Sequence, residues 1–189
     1  MQKIRGKKAA IEMSISTIVV VVLSMSMLIL GLVLIKTIFT GAKNVADMTN
    51  DQLTSQISQL FGADQKVAVY PNSRQIDVVQ GKSSGFGIGI KNLRTGSSSA
   101  ATFSYEVVVS DPDVQTKCGV TATEILKLIT TGKSAVSIPI ASGEVYAAPV
   151  LIATQTGDPL CTVRFRVDVK ANDEPYGSPQ VMDVTFKAA

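Results

Sequence analysis

An uncharged apolar run near the beginning of the chain constrains its folding more than any other feature of the sequence. The run covers residues 13–35, is rich in branched aliphatic side chains, and is followed directly by Lys36. A helix of that length extends about 35 Å, enough to cross the hydrocarbon core of a bilayer, and the run is longer than the apolar stretch of a secretory signal peptide. The sequence therefore predicts a transmembrane helix over residues 13–35, with the lipid bilayer as its partner, rather than a cleaved signal peptide or a buried core helix.

Charges on the two sides of the run predict its orientation. Residues 1–12 form a basic leader with four cations and one acid, Glu12. The chain has 18 basic and 15 acidic residues in all, so the part beyond the run carries 14 of each. Because basic flanks stay in the cytoplasm, we expect a cytoplasmic N-terminus at the cell membrane and an extracytoplasmic remainder. A neutral remainder in a chain with only 5% aromatic residues does not fit nucleic-acid binding.

The segment that follows, residues 36–62, has the pattern of an amphipathic helix. It contains no Pro, its apolar residues recur at steps of three to five, and Gly62 stands where a glycine often ends a helix. The sequence therefore predicts a stalk helix over residues 36–62 that continues the transmembrane helix without interruption.

From residue 63 onward the apolar period changes to two, which is typical of β-strands. In residues 162–170, for example, Val or Phe at every second position alternates with polar side chains. Turn residues separate about seven or eight such segments. The predicted fold class is therefore α+β, with a long N-terminal transmembrane helix and stalk followed by an immunoglobulin-like antiparallel β-sandwich over residues 63–189.

One predicted strand has a face of bare backbone. In residues 85–90, Gly alternates with Phe or Ile, so one side of the strand carries no side chains. Two interpretations are open. Either another element packs closely there, the stalk helix being one candidate, or the strand is bulged and covered by water.

Two cysteines, Cys118 and Cys161, lie in the predicted sandwich. In an oxidising extracytoplasmic compartment, such a pair most often forms a disulfide. The alternative is a pair of free or intermolecular thiols.

The sequence offers little for catalysis. The chain has no His, which excludes Ser–His–Asp and Cys–His centres and the commonest zinc sites. Its two Gly-Lys-Ser triplets lack the earlier Gly of a phosphate-binding loop. Acidic residues in the turns, Asp111, Asp113, Asp173 and Glu174, lack the spacing of a calcium loop and are interpreted as solvated. We therefore predict a protein that is not an enzyme and has no cofactor or bound metal.

Features of the apolar run suggest helix–helix assembly. Thr17, Ser24 and Gly31 recur every seven residues, so three small side chains lie near one line along a helix. Small residues are also common in membrane helices generally. Glu12 stands at the edge of the run, where it could pair with a neighbouring subunit or with Lys8 and lipid headgroups.

The leader and the run together resemble archaeal type IV pilin-like proteins. The resemblance rests on Arg5-Gly6 before Lys7 and on Glu12 at the start of the apolar run. It implies cleavage between Gly6 and Lys7 by a prepilin-type peptidase, an apolar helix that continues out of the membrane, and an immunoglobulin-like head.

The functional prediction follows from this layout. We expect a non-enzymatic structural protein of the cell surface, a pilin-like subunit that forms homo-oligomers through its N-terminal helix, as a filament or a membrane oligomer. The alternative is an uncleaved single-pass anchor that displays an immunoglobulin-like domain for adhesion, for envelope binding or as an archaellum accessory.

Overall fold

The structure, a computed structural model, describes residues 15–40, 44–95 and 101–189, with side chains described for residues 17–33 of the first helix. The chain divides into two units, Met1–Ala42 and Lys43–Ala189. The first unit contains helix α1, Ile15–Thr40. Over the residues whose side chains the structure describes, no helix is long and apolar enough to span a membrane.

The predicted long transmembrane helix with a continuous stalk is therefore wrong, and the chain between residues 36 and 62 gives a physical reason. Here α1 ends at Thr40, a 3-10 helix covers Val45–Asp47, and α2 runs from Asn50 to Leu60. A capping box begins α2, because the Thr49 hydroxyl accepts from the Gln52 N–H (3.3 Å) and the Gln52 side chain accepts from the Thr49 N–H (3.2 Å). These bonds satisfy the free N–H groups of a new helix start. Among its described residues, the segment thus consists of the end of α1, a 3-10 helix and α2, and not of one stalk helix.

The second unit contains ten strands and two further short helices among its described residues. In chain order these are β1 Val67–Tyr70, β2 Gln75–Val79, β3 Ser83–Lys91, β4 Ala101–Val109, α3 Val114–Cys118, α4 Ala122–Lys127, β5 Ile129–Thr131, β6 Ser134–Ile140, β7 Val145–Ala153, β8 Thr162–Ala171, β9 Glu174–Pro175 and β10 Gln180–Lys187.

The strands form two sheets. Sheet A has the order β1-β3-β7-β5, and sheet B has the order β2-β10-β8-β4-β6, with β9 beside β8. The prediction of a purely antiparallel sandwich is wrong, because β2 pairs with β10 in parallel, Ile76 lying opposite Val184. β2 pairs with the last strand, β10, at the edge of sheet B, and not with β1 or β3, its neighbours in sequence.

The main core lies between the sheets. Alternate side chains of β3, β7, β4, β8 and β10 meet there and are almost completely buried, among them Phe86, Val150, Phe103, Phe165 and Met182. The outward side chains of β8 in sheet B are mostly exposed. Sheet A differs, since every residue of β3 from Gly85 to Ile90 is buried. Sheet A must therefore be covered on both faces.

Helix α2 covers the second face of sheet A. Leu53 and Ile57 are buried there in a cluster with Val45 and Tyr70, separate from the main core. Full burial of each such aliphatic side chain stabilises the fold by about 1.5–3 kcal/mol. Helix α2 and the 3-10 helix before it thus form a third layer, on the outer face of sheet A.

The glycines of β3 provide the surface on which α2 lies. A Cβ atom added at Gly87 would lie 2.7 Å from Leu53 Cδ1 and 2.9 Å from Ile57 Cδ1. One added at Gly89 would collide with Ile57 Cγ2 and lie 3.1 Å from the Phe61 ring. The neighbours of Gly89 in the sheet, Ala68 and Ala147, are small as well. Of the two interpretations of the glycine face, close packing by a helix is confirmed.

This contact predicts the effect of adding one methyl group. Gly89→Ala should lower the free energy of unfolding by about 1–3 kcal/mol, because the methyl group overpacks the space held by Ile57 and Phe61. Gly87→Ala should cost less, since the closest contacts of its Cβ would be with the terminal methyl groups of Leu53 and Ile57, at 2.7 and 2.9 Å. Denaturant unfolding of the full-length chain in detergent would measure both.

Gly62→Ala is the matched control, since a Cβ there meets nothing within 4 Å. Its unfolding midpoint should stay at or slightly above that of the parent. Equal losses at Gly62 and Gly89 would contradict the packing explanation.

Candidate functional site

The described surface of α1 is apolar on every side. Its large aliphatic side chains between Ile18 and Val33 are exposed, from 48% at Val21 to 77% at Met27. Residues 15–35 contain no charged side chain. Exposed apolar surface of this extent marks a place where a protein meets another apolar surface. The helix is therefore the first candidate site of function.

Ser24 and Ser26 of α1 do not interrupt this surface. The Ser24 hydroxyl donates to the Val20 carbonyl and the Ser26 hydroxyl to the Val22 carbonyl, each at 2.8 Å. Both hydroxyls are thus satisfied inside the helix and need no water. Each serine is therefore a small, uncharged position between larger apolar side chains.

The predicted small-residue stripe lies on α1. Thr17, Ser24 and Gly31 all fall within Ile15–Thr40, and a heptad step drifts only about 20° around a helix. Ser26 is on the opposite side, about 200° from Ser24. The predicted processing site at Gly6 and Lys7, and the predicted assembly residue Glu12, lie outside the described residues.

The predicted disulfide is confirmed. Cys118, the last residue of α3, is bonded to Cys161, just before β8. The two cysteines are 43 positions apart. The bond therefore ties α3, which follows β4, to the start of β8.

Paired charges surround this disulfide. Lys117 Nζ lies 3.1 Å from both carboxylate oxygens of Asp111, and Arg164 binds Asp183 through two bonds of 2.8 and 3.0 Å. With Leu160 and Cys161, these residues line an open cleft of about 550 Å³. Two ion pairs, Lys117 with Asp111 and Arg164 with Asp183, therefore lie in the lining of the cleft.

The interpretation of Asp111 as a solvated turn acid is wrong. Its side chain is only 8% exposed, and the Lys117 hydrogen bonds hold the pKa of the carboxyl below its usual range. Arg164 and Asp183 lie opposite each other on the neighbouring strands β8 and β10. The sequence alone does not give this register. Among the residues that the structure describes, no group of three metal-binding side chains comes together.

Comparison with known proteins does not assign a family. No family model matches the chain, and no curated protein matches it. A family 123 glycoside hydrolase from Clostridium perfringens is 11% identical with a TM-score of 0.37, over 61% of this chain. The match spans only 23% of that enzyme.

Two smaller proteins are similar at the same low level. A Niemann-Pick type C2 protein from the Japanese carpenter ant is 10% identical with a TM-score of 0.34, covering 65% of this chain and 90% of that one. The CooA pilin subunit from enterotoxigenic Escherichia coli is 8% identical with a TM-score of 0.30, covering 66% and 99%. A pilin is thus among the weak structural neighbours, and at these scores none of them indicates a function.

The disulfide predicts a measurable loss of stability on its removal. Because closing a loop of this length restricts the unfolded chain, Cys118→Ser should lower the free energy of unfolding by about 2–4 kcal/mol. Cys161→Ser and the double variant should show the same loss, since each removes the same bond. Unequal losses would show that one cysteine stabilises the fold by another route.

The Asp111–Lys117 pair predicts a dependence on pH. Since the folded pKa of Asp111 is below its unfolded value, this pair contributes full stability above about pH 4 and loses it as pH falls through the folded pKa. Glu124, whose pKa is lowered by its hydrogen bonds to Thr121, acts in the same direction. Thermal unfolding between pH 5 and 2 should therefore show a flatter pH curve for Asp111→Asn than for the parent.

Asp113→Asn is the control for that series, because Asp113 is exposed and its backbone N–H, not its side chain, bonds Asp111. Its curve should follow the parent. A parental slope in Asp111→Asn would show that the pair does not stabilise the fold.

Proposed function

We propose that this chain is a non-enzymatic structural protein of the cell surface, a pilin-like subunit that assembles through α1. The observation that carries the proposal is the apolar, exposed surface of that helix. The subunits would form a filament or a membrane-associated oligomer in which copies of α1 lie against one another.

The even distribution of apolar side chains around α1 supports several neighbours rather than one. An amphipathic helix buries one stripe against a single partner, whereas a helix that is apolar all round needs cover on every side. Exposed apolar side chains occur at consecutive positions, in Ile18–Leu23 and in Met27–Leu30, and therefore on every side of the helix. A bundle of identical helices gives each copy that cover.

The stripe of Thr17, Ser24 and Gly31 supplies the line of closest approach. Small side chains let two backbones approach, so that more atoms come into van der Waals contact. Because the Ser24 hydroxyl is already bonded to Val20, its burial between helices leaves no unsatisfied donor.

The remaining parts of the proposal concern location and processing. A disulfide in the second unit favours an oxidising, extracytoplasmic compartment for the sandwich, and the basic leader favours a cytoplasmic N-terminus. The resemblance to archaeal type IV pilins adds a cut between Gly6 and Lys7, after which Glu12 would neutralise the new amine of a neighbouring copy.

A matched pair of substitutions tests the assembly. Ser24→Leu places a bulky side chain on the stripe, and Ser26→Leu makes the same change on the opposite side. Both serines are exposed and both bond the carbonyl four residues earlier. Ser24→Leu should shift full-length protein in mild detergent toward monomer by about tenfold or more in the association constant, whereas Ser26→Leu should shift it much less.

Sedimentation equilibrium would measure both variants and the parent. Equal effects of the two substitutions would remove the stripe from the proposal. A parent that is monomeric both in detergent and in its own cells would overturn assembly itself, and the alternative role of a singly displayed binding domain would then be the better account.

A further inference from the structure

We propose that one end of the sandwich binds a phosphate group in the cleft between Lys66 and Arg74. The cleft has a volume of about 490 Å³. Polar and charged residues line most of it: Asp64, Gln65, Lys66, Arg74, Ser178 and Gln180. It lies entirely within the second unit and shares no lining residue with the disulfide cleft. It does not depend on the proposed assembly.

The two cations of this cleft are not neutralised. Four cations elsewhere, on Lys117, Arg164, Arg166 and Lys187, each bind a carboxylate. Within the described ranges, Lys66 and Arg74 take part in no ion pair. Asp64 is the one carboxylate among the lining residues of the cleft, so the lining has a net positive charge.

Lys66 is held by an aromatic ring. Its Nζ lies 5.2 Å from the centroid of Tyr176, within range of a cation–π interaction. The Tyr176 hydroxyl donates to the Lys91 carbonyl and accepts from the Leu93 N–H, each at 2.9 Å. The ring is therefore fixed, and it positions the ammonium without removing its charge.

Arg74 is held by a neutral amide. Its guanidinium donates to Gln180 Oε1 at 3.2 Å, and Gln180 in turn donates to the Ser178 carbonyl at 2.9 Å. The Arg74 backbone is fixed too. Its carbonyl accepts from the Asp183 N–H, and its own N–H donates to the Pro71 carbonyl. One guanidinium bond is thus used for positioning, and the others are available to a ligand.

These properties favour a phosphate group. An arginine fork and a lysine point charge are the usual protein ligands of phosphate oxygens, and cations held in advance lose less side-chain freedom on binding. The cleft is larger than one phosphate, so the group could be free phosphate or part of a larger molecule such as a phosphoglycerol headgroup. Both sources share the same recognition chemistry.

Titration of the full-length chain in uncharged detergent micelles tests the site. The probes are inorganic phosphate and glycerol 1-phosphate, and the readout is the backbone amide signals of Gly177 and Ser178 in nitrogen–proton NMR spectra. We expect saturable shifts with at least one probe. Tighter binding of glycerol phosphate would identify a carried phosphate group, and equal binding would identify the free ion.

Variants assign the shifts to the cleft. Lys66→Gln and Arg74→Gln should each weaken binding about tenfold, and Lys66→Arg should restore most of it. Asp64→Asn should strengthen binding, because it removes a repelling charge. Lys82→Gln, which removes an exposed lysine on the turn between β2 and β3, is the control and should bind like the parent.

Three results would overturn the proposal. These are the absence of saturable shifts with both probes, parental affinity in Lys66→Gln and Arg74→Gln, and an equal loss in Lys82→Gln. Thermal unfolding of each variant would show whether it is folded, and the Lys66→Arg variant tests the charge without removing the contact with Tyr176.

Discussion

The second unit depends on the close approach of α2 to sheet A. That approach is possible only where β3 has no side chains, at Gly87 and Gly89. Without it, Leu53 and Ile57 would lack a surface to cover them, and the outer face of sheet A would meet water. The glycines of β3 therefore determine that the domain has three layers rather than two.

The two sheets differ in sequence because they differ in what covers them. Sheet B has one dry face and one wet face, so β8 alternates strictly between apolar and polar residues. Sheet A is dry on both faces at β1 and β3, which are buried over nearly their whole length. The outer face of sheet A uses small residues where sheet B uses ion pairs such as Arg164 with Asp183. The same fold thus contains two different patterns for a strand.

Much of the sandwich could be predicted from the sequence, and the exceptions have physical causes. The alternation of β8 could be predicted because it is a local pattern. The disulfide was the more common of two open outcomes for a pair of cysteines in an oxidising compartment. The parallel position of β2 could not be predicted, since strand order depends on contacts between distant residues. The break before α2 had a local signal, Thr49 followed by Gln52, which is the pattern of a capping box. The apolar residues at steps of three to five favoured the stalk interpretation, although the pattern slips near Asn50, where α2 begins.

The candidate sites divide in the same way. The apolar helix and its stripe of small residues can be found by counting, because a helix repeats regularly. The pairing of Asp111 with Lys117 and the grouping of Lys66 with Arg74 depend on how turns fold together. A lysine and an arginine eight positions apart, one before β1 and one after it, carry no signal until the position of Tyr176 is known.

The parallel pairing of β2 with β10 has a mechanical consequence. These are an early strand and the last strand of the sandwich, and they run in the same direction. A pull on the chain before β2 and after β10 would therefore load their backbone hydrogen bonds in shear, all at once, rather than one after another as in an unzipping hairpin. The disulfide also limits how far the chain can extend, because the 43 positions between its cysteines cannot lengthen under tension. The sandwich is thus arranged to bear force along its length.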